Sequence, residues 1–211
     1  MDYIARIHSD FPTKFGIPRQ SGLTGDLISK IVFEPAYRNP DFLRGIDSWS
    51  HLWLIWHFDR IEDGKFSPTV APPKLGGKTR VGVFATRSPF RPNPIGLSSV
   101  KLIGVEFREK EGPVLIVEGA DLLDMTPIYD IKPYLPYADC HPDATDAFEE
   151  SRSAKPLVVV FPDVLLQKIP QEKRAGLMQA LSQNPRPGYH HDPNRRYGVN
   201  FSSFDVRFQI D

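Results

Sequence analysis

The residues best suited to chemistry lie in one stiff segment, VGVFATRSPFRPNPIGLS, which covers residues 81–98. Three prolines fix backbone φ angles in this segment and remove hydrogen-bond donors from it: Pro89, Pro92 and Pro94. The side chains of Arg87, Arg91 and Asn93 are therefore held on a backbone with little freedom, so less entropy is lost on binding. Two preorganised guanidinium groups are typical of anion recognition. The alternative is a proline-rich turn whose arginines only extend their charged ends into water.

A second segment with hydrogen-bonding groups is FGIPRQSGL, residues 15–23, whose Gly and Pro content predicts a loop. Arg19 supplies a planar fork for a carboxylate, a phosphate or a base edge, and Gln20 both donates and accepts hydrogen bonds. An ordinary surface loop of the same composition is the alternative interpretation.

The third segment, GIDSWSHLWLIWHF at residues 45–58, contains all three tryptophans of the chain, Trp49, Trp53 and Trp56. Its residues 51–58 are apolar almost throughout, which predicts a strand buried on both faces. Tryptophans within such a strand are more often part of the core than platforms for stacked bases. His57 lies near the predicted end of the strand, where it either faces a site or forms a hydrogen bond in the core.

The fourth segment, DLLDMTPIYDIKPYLPYAD at residues 121–139, places three carboxylates after a predicted strand, with Lys132 among aromatic residues. Asp121, Asp124 and Asp130 could accept hydrogen bonds from ribose hydroxyls or lie near a cationic ligand. They could equally cap turns.

The charge balance of the chain is neutral, because its 26 basic residues match its 26 acidic ones. This argues against a protein that coats nucleic acid through bulk charge. However, the stretch from Lys74 to Lys101 contains basic residues and no Asp or Glu. Such a local basic segment suits the docking of one polyanion at one place, with a solvated basic face as the alternative.

Several familiar kinds of site are excluded. The single Cys140 cannot form an internal disulfide, and the six histidines have no convincing spacing for metal ligands, so we predict no metal site. GGKT at residues 76–79 lacks the earlier glycine of a phosphate loop, and no glycine fingerprint of a dinucleotide-binding sheet is present. No apolar run is long enough to span a membrane, and MDYIARIHSD lacks the features of a secretory signal, so we expect a cytoplasmic protein.

The elements that must position these segments are mainly strands. Short β-rich runs bounded by Pro, Gly, Asn and Asp predict strands at residues 3–8, 27–33, 51–58, 81–86, 98–107 and 114–120. Strong helical periodicity is absent before residue 160, which favours an antiparallel barrel or sandwich over a doubly wound α/β sheet. We predict a core domain at residues 1–142, a polar linker at 143–156 and a small α+β domain at 157–211, with a helix at 171–182 and a last strand at 204–210.

These four segments, in this order, resemble the motifs of the TrmO family, also described as YaeB or TsaA-like proteins. The resemblance covers roughly residues 3–139, with a weaker match at NPRPGY and DVRF in the tail. It implies a tRNA methyltransferase that uses S-adenosylmethionine, built on a small antiparallel β-barrel rather than a dinucleotide-binding sheet. It further implies a homodimer, a small C-terminal domain, and N6-threonylcarbamoyladenosine at tRNA position 37 as the substrate, methylated on N6.

The resemblance also implies the residues of the site. Matched position by position, the cofactor contacts of the family fall on Pro18, Arg19, Gln20, His57, Phe58, Arg87, Leu97, Asp121, Leu122, Leu123 and Asp124. We expect Arg91, Asn93 and Lys132 to face the tRNA. No residue is identified as a general base, although His57 is the one candidate to test. Two alternatives stay open: an RNA adaptor that binds the cofactor without turnover, and a methyltransferase for another RNA or small molecule.

Overall fold

The barrel and the elements around it are described by a computed structural model, which covers residues 2–62, 64–72, 79–145, 156–186, 190, 192 and 194–210. Its strands are β1 (Ala5–His8), β2 (Ile28–Phe33), β3 (His51–His57), β4 (Thr69–Val70), β5 (Val81–Gly82), β6 (Ile95–Arg108), β7 (Gly112–Glu118), β8 (Pro127–Pro133), β9 (Tyr197–Phe201) and β10 (Phe204–Phe208). Its α-helices are α1 (Pro136–Asp139), α2 (Asp163–Leu166) and α3 (Gln171–Ser182).

Six strands form one antiparallel sheet in the order β1-β2-β7-β6-β3-β8, and the sheet closes on itself as a barrel because β1 pairs with both β2 and β8. The closing register joins Ala5 to Ile128 and Arg6 to Pro127. Closure leaves no free strand edge in this sheet. The predicted mainly β, antiparallel fold is confirmed.

The barrel is filled from every strand by alternate side chains, such as Ile7, Ile31, Leu52, Leu54 and Ile128. The prediction that residues 51–58 are buried on both faces is wrong. In β3 the buried positions alternate with exposed or half-buried ones, so Trp56 lies in the core while Trp53 and His57 face outwards. The outward-facing Trp53 and Ile55 are apolar although they are only half-buried, which is why the sequence alone suggested a fully buried strand. The strand buried on both faces is β7.

Two further sequence predictions need correction. The strand expected at residues 81–86 ends at Gly82, because β4 offers it only two paired residues, and a 3-10 turn follows at Val83–Ala85. The core position expected for Trp49 is also wrong, since 38% of its surface is exposed. The strands β4, β8 and β9 had no counterpart in the sequence predictions.

A second hydrophobic cluster lies beneath α3 and the β9-β10 hairpin. The predicted helix at residues 171–182 is confirmed, and its residues Leu177 and Leu181 are buried there. Phe11 and Leu27, which come from the loops around β1 and β2, belong to the same cluster. The predicted linker stays a prediction, because residues 146–155 lie outside the described part of the chain.

Gly16 allows the first loop to lie directly on this C-terminal hairpin. Its φ angle is +92°, and an added Cβ would lie 2.6 Å from both methyl groups of Val199. Both observations require glycine at this position. The loop that continues into Arg19 and Gln20 is therefore anchored to the C-terminal hairpin as well as to the barrel.

Candidate functional site

The proline-rich loop between β5 and β6 is shaped by its own hydrogen bonds. Arg91 donates from Nη1 to the carbonyl oxygens of Thr86 at 3.0 Å and Ser88 at 3.2 Å, and its backbone N–H donates to Pro89 at 2.8 Å. Arg91, which was expected to face the tRNA, thus uses one guanidinium nitrogen inside the loop. This internal clamp fixes the backbone on both sides of Arg87.

Arg87 connects this loop to the second predicted segment. Its Nη1 donates to Oε1 of Gln20, and Nε2 of Gln20 donates to the carbonyl oxygen of Arg19 at 2.5 Å. Arg19 itself donates to the carbonyl oxygens of Asn184 and Arg186 at 3.3 and 3.4 Å. Pro18 is buried beside them. Two segments that are 67 residues apart in the sequence therefore meet at Arg87 and Gln20.

Asp121, three residues after the end of β7, is a buried carboxylate near enough to Arg87 for the charge of the guanidinium to act on it. Its Oδ1 accepts a hydrogen bond of 2.6 Å from Ser98 Oγ, which in turn accepts one of 2.9 Å from Trp56 Nε1. Burial raises the pKa of the Asp121 carboxyl above its ordinary value. The hydrogen bonds from Ser98 and from the backbone N–H groups of Asp121 and Ser21, and the charge of Arg87, act in the opposite direction.

Ser98 was missing from the sequence predictions. It is 1% exposed, and it belongs to the inward-facing set of β6 that includes Gly96 and Val100. A polar residue in an otherwise inward-facing position was the available signal, because buried hydroxyls are normally hydrogen-bonded.

The remaining residues of the DLLD turn mainly hold the turn in place. Oδ1 of Asp124 accepts a hydrogen bond of 3.1 Å from the backbone N–H of Ser9, and the Asp124 N–H donates to Phe11 at 2.9 Å. Leu122 is 1% exposed within the barrel core, and Leu123 packs against the second cluster. In the same turn, the Asp121 carboxyl lies near enough to Arg87 for the charge of the guanidinium to lower its pKa.

His57 lies at the end of β3, in an aromatic group on the outside of the barrel. Its Nδ1 is 2.8 Å from the hydroxyl of Tyr3, and its ring lies 5.8 Å from that of Tyr3 and 5.6 Å from that of Tyr129. Phe58 packs on Trp56 with ring centroids 4.3 Å apart, and its N–H donates to Pro94 at 2.9 Å. His57 is therefore held in place at a position that solvent partly reaches.

The other predicted residues lie on the outer surface nearby. Leu97 is 53% exposed on β6, where it pairs with Ile55 of β3. Asn93 is exposed in the proline-rich loop, and its carbonyl oxygen accepts from Ile95 at 2.7 Å. Lys132 pairs with Trp53 across β8 and β3, and its ammonium lies 3.1 Å from Asp130.

Neither a metal cluster nor a membrane span was found among the residues that the structure describes. No group of three or more potential metal-ligating side chains occurs there. None of the helices in the described ranges is long and apolar enough to cross a membrane.

Comparison with known proteins identifies the family. Residues 6–140 match the model of the tRNA-methyltransferase O N-terminal domain, and residues 154–211 match that of the TrmO C-terminal domain. The chain belongs to the tRNA-methyltransferase O family. The site described above combines segments from both matched regions, because Arg19 contacts the tail carbonyls.

Relatives within the family align with nearly the whole chain. The tRNA (adenine(37)-N6)-methyltransferase of Escherichia coli K12 is 39% identical over 99% of this chain and 92% of its own length. The tRNA (adenine(37)-N6)-methyltransferase of Eikenella corrodens is 44% identical over 78% of this chain and 92% of its own length. The crystal structure of TrmO from Pseudomonas aeruginosa superposes with a TM-score of 0.77 at 33% identity, covering 98% of this chain and 90% of that one.

Proposed function

We propose that this protein transfers the methyl group of S-adenosylmethionine to N6 of N6-threonylcarbamoyladenosine at position 37 of tRNA. The observation that carries the proposal is the hydrogen bond between Arg87 and Gln20, which come from distant segments, with the Asp121 carboxyl near enough for the charge of Arg87 to act on it. Relatives of the chain are named tRNA (adenine(37)-N6)-methyltransferases. A Pseudomonas aeruginosa relative, 38% identical over 97% of this chain, has a name that describes an S-adenosylmethionine-dependent methyltransferase.

The residues present fit the chemistry of this cofactor. Asp121 offers a carboxylate to ribose hydroxyls, and Arg87 offers a guanidinium to the cofactor's carboxylate. The exposed side chain of Leu97 offers an apolar surface to the adenine. Gln20 would orient Arg87, while Pro18, Arg19, Phe58 and the turn from Leu122 to Asp124 would shape the surrounding backbone. When bound, the cofactor supplies an electrophilic methyl group on a sulfonium.

The protein's own contribution is positioning and the exclusion of water, because methyl transfer from a sulfonium requires aligned partners more than acid chemistry. His57 is the candidate proton acceptor, since its ring is oriented by Tyr3 and partly reached by solvent. Asn93 and Lys132, which are exposed, and the free nitrogens of Arg91 would contact the tRNA. The core domain at 1–142, the linker at 143–156 and the C-terminal domain at 157–211 would act together on that tRNA.

The proposal includes a cytoplasmic homodimer. The exposed apolar side chains of Ile95 and Leu97, 42% and 53% exposed, lie on the same strand and support a contact between copies on this face. Light scattering on the purified protein would measure the mass directly.

The proposed reaction is tested by incubating the purified protein with methyl-labelled S-adenosylmethionine and tRNA that either carries or lacks the threonylcarbamoyl group. Mass analysis of the nucleosides then identifies the product. We expect methylation of the threonylcarbamoyladenosine alone. Label in another nucleoside would indicate a different RNA substrate, and cofactor binding without labelled RNA would indicate an adaptor.

A further inference from the structure

A cleft on the outside of the barrel lies beside the site described above. None of the residues assigned to that site lines the cleft. It has a volume of about 540 Å³, and its lining includes Ser21, Gly22, Trp53, Ser99, Glu118 and Tyr134. Pockets of this size accommodate small organic groups such as a nucleotide. We infer that this cleft binds one base and ribose of the substrate tRNA, outside the nucleotide that is methylated; this inference rests on the proposed function.

One wall of the cleft is aromatic and rigid. Trp53 Nε1 donates to Oδ2 of Asp139 at 2.7 Å, and the same oxygen accepts from the backbone N–H of Leu135 at 2.9 Å. The Tyr134 ring lies 5.4 Å from that of Trp53, inclined by 44°. An indole that is already fixed loses little freedom when a base stacks on it.

The hydrogen bonds to Asp139 also keep this wall in place at neutral pH. The backbone N–H of Leu135 and the indole N–H of Trp53 hold the pKa of the Asp139 carboxyl below its ordinary value. The carboxyl is therefore ionised, and able to accept both hydrogen bonds, throughout the neutral range.

Three glycines also line the cleft: Gly22, Gly25 and Gly119. Nothing lies within 4 Å of the position that a Cβ of Gly22 would occupy, whereas the Glu118 carboxylate lies 3.4 Å from that of Gly25. The Gly22 N–H donates to the Gly119 carbonyl oxygen at 2.9 Å, which joins the loop to the end of β7. The absence of a side chain at Gly22 leaves room in the cleft for a flat ring.

The charges within the cleft favour a base and ribose over a bare phosphate. Lys101 and Glu118 lie 3.5 Å apart, so their charges largely offset each other. Glu118, Ser21 and Ser99 offer acceptors and donors to base edges and ribose hydroxyls, while the ammonium of Lys101 stays half-exposed for a flanking phosphate. Aromatic stacking combined with hydrogen bonds to base edges is how single-stranded RNA is recognised.

The cleft is continuous with the proposed methyl-transfer site. Ser21 lines the cleft, its backbone N–H donates to the Asp121 carboxyl, and its hydroxyl accepts from the Ser99 N–H at 3.1 Å. The preceding residue, Gln20, binds Arg87. A nucleotide in the cleft would therefore lie next to the reacting one on the same RNA strand.

The test compares two cleft variants with a control outside the cleft. Trp53→Leu removes the stacking surface, and Ser99→Phe fills the cleft without removing an aromatic residue. The control is Trp49→Leu, since Trp49 is exposed and does not line the cleft. For each protein, the Kd for threonylcarbamoylated tRNA and the Kd for S-adenosylmethionine are measured by titration, and the mass by light scattering.

We expect both cleft variants to weaken tRNA binding about tenfold, the loss of one stacked base, with unchanged cofactor affinity and mass. The control should bind both ligands like the wild type. If Trp53→Leu does not fold, Ser99→Phe decides alone.

Three results would overturn the inference: unchanged tRNA affinity in the folded cleft variants, a parallel loss of cofactor affinity, or a change in mass that shows the cleft to be a contact between copies. Failure of the proposed function is a separate result, because wild-type protein would then bind tRNA without methylating it.

Discussion

The hydroxyl of Ser98 joins the indole of Trp56 to the carboxyl of Asp121, accepting a hydrogen bond of 2.9 Å from the first and donating one of 2.6 Å to the second. Trp56 belongs to the barrel core, whereas Asp121 lies beside Arg87. The orientation of the proposed cofactor-binding carboxylate is thus set from inside the barrel.

Replacing Ser98 by Ala should remove the hydrogen-bonded connection between Trp56 and Asp121. The change leaves the indole N–H unpaired and removes a donor from Asp121, which should lower the free energy of unfolding by about 1–3 kcal/mol. Cofactor affinity, measured by calorimetry, should fall as Asp121 loses its fixed orientation. Ser99→Ala, one residue along on the opposite face, is the matched control. Equal cofactor affinity in the two folded variants would contradict a role for Ser98.

Asp121→Asn should change how stability depends on pH. Burial raises the pKa of this carboxyl in the native state, so the native state keeps the proton to a higher pH than the unfolded chain does. The carboxyl therefore favours the native state most at low pH, and this contribution is lost as the pH rises through the ordinary value of 3.8 and then the native value.

Urea unfolding of wild type and Asp121→Asn measures this loss. From about pH 4 to about pH 7, the variant should gain free energy of unfolding relative to the wild type, because it has no charge to bury. A difference that is independent of pH would show that the hydrogen bonds and Arg87 balance burial, and a difference that runs the other way would show that they outweigh it.

Gly96→Ala should disturb the same group of residues from the backbone side. An added Cβ would lie 2.2 Å from the Trp56 indole, so the ring must move, at a cost of about 1–3 kcal/mol or more. Gly104→Ala on the same strand is the control, since nothing lies within 4 Å of its Cβ position. Chemical denaturation should show a lower free energy of unfolding for Gly96→Ala only. Equal free energies of unfolding for the two variants would show that the indole occupies a different position in solution.

Arg91→Ala should weaken cofactor binding although Arg91 does not contact the Gln20–Arg87 pair. The change removes the two hydrogen bonds that fix the backbone around Arg87, each contributing about 1 kcal/mol. A several-fold rise in the cofactor Kd is expected, with partial recovery in Arg91→Lys, which keeps a charged donor nitrogen on a shorter side chain. An unchanged cofactor Kd, with an effect confined to the KM for tRNA, would show that Arg91 acts on the RNA alone and does not support the backbone around Arg87.

The contact between His57 and Tyr3 leads to a prediction about the rate of methyl transfer. If His57 accepts the proton, His57→Gln should lower kcat while the Kd for S-adenosylmethionine stays unchanged, and Tyr3→Phe should lower kcat less, because it removes only the 2.8 Å contact that orients the ring. A kcat equal to that of the wild type in both variants would exclude His57 from proton transfer.

The sequence predicted well where local pattern and packing agree. The predicted helix at 171–182 matches α3, and the antiparallel strands match most of the barrel. It predicted poorly where contacts between residues distant in the sequence determine the position of a side chain. Trp53 and Trp56 look alike in the sequence, yet pleating places one outside and one in the core. Likewise, no local pattern indicates that Asp124 holds a turn while Asp121, three residues earlier, faces Arg87. The assignment of residues to the cofactor and to tRNA stays a prediction.

The rings of Phe11 and Phe201, whose centroids lie 5.4 Å apart in the second hydrophobic cluster, have a consequence for synthesis of the chain. The ribosome makes the first of these residues 190 positions before the second. The barrel strands can pair earlier, but the cluster that anchors the loop of Arg19 and Gln20 cannot be completed until the hairpin has emerged. Closing so long a loop is slow. A nascent chain would therefore contain a formed barrel well before it contained a site able to bind its cofactor.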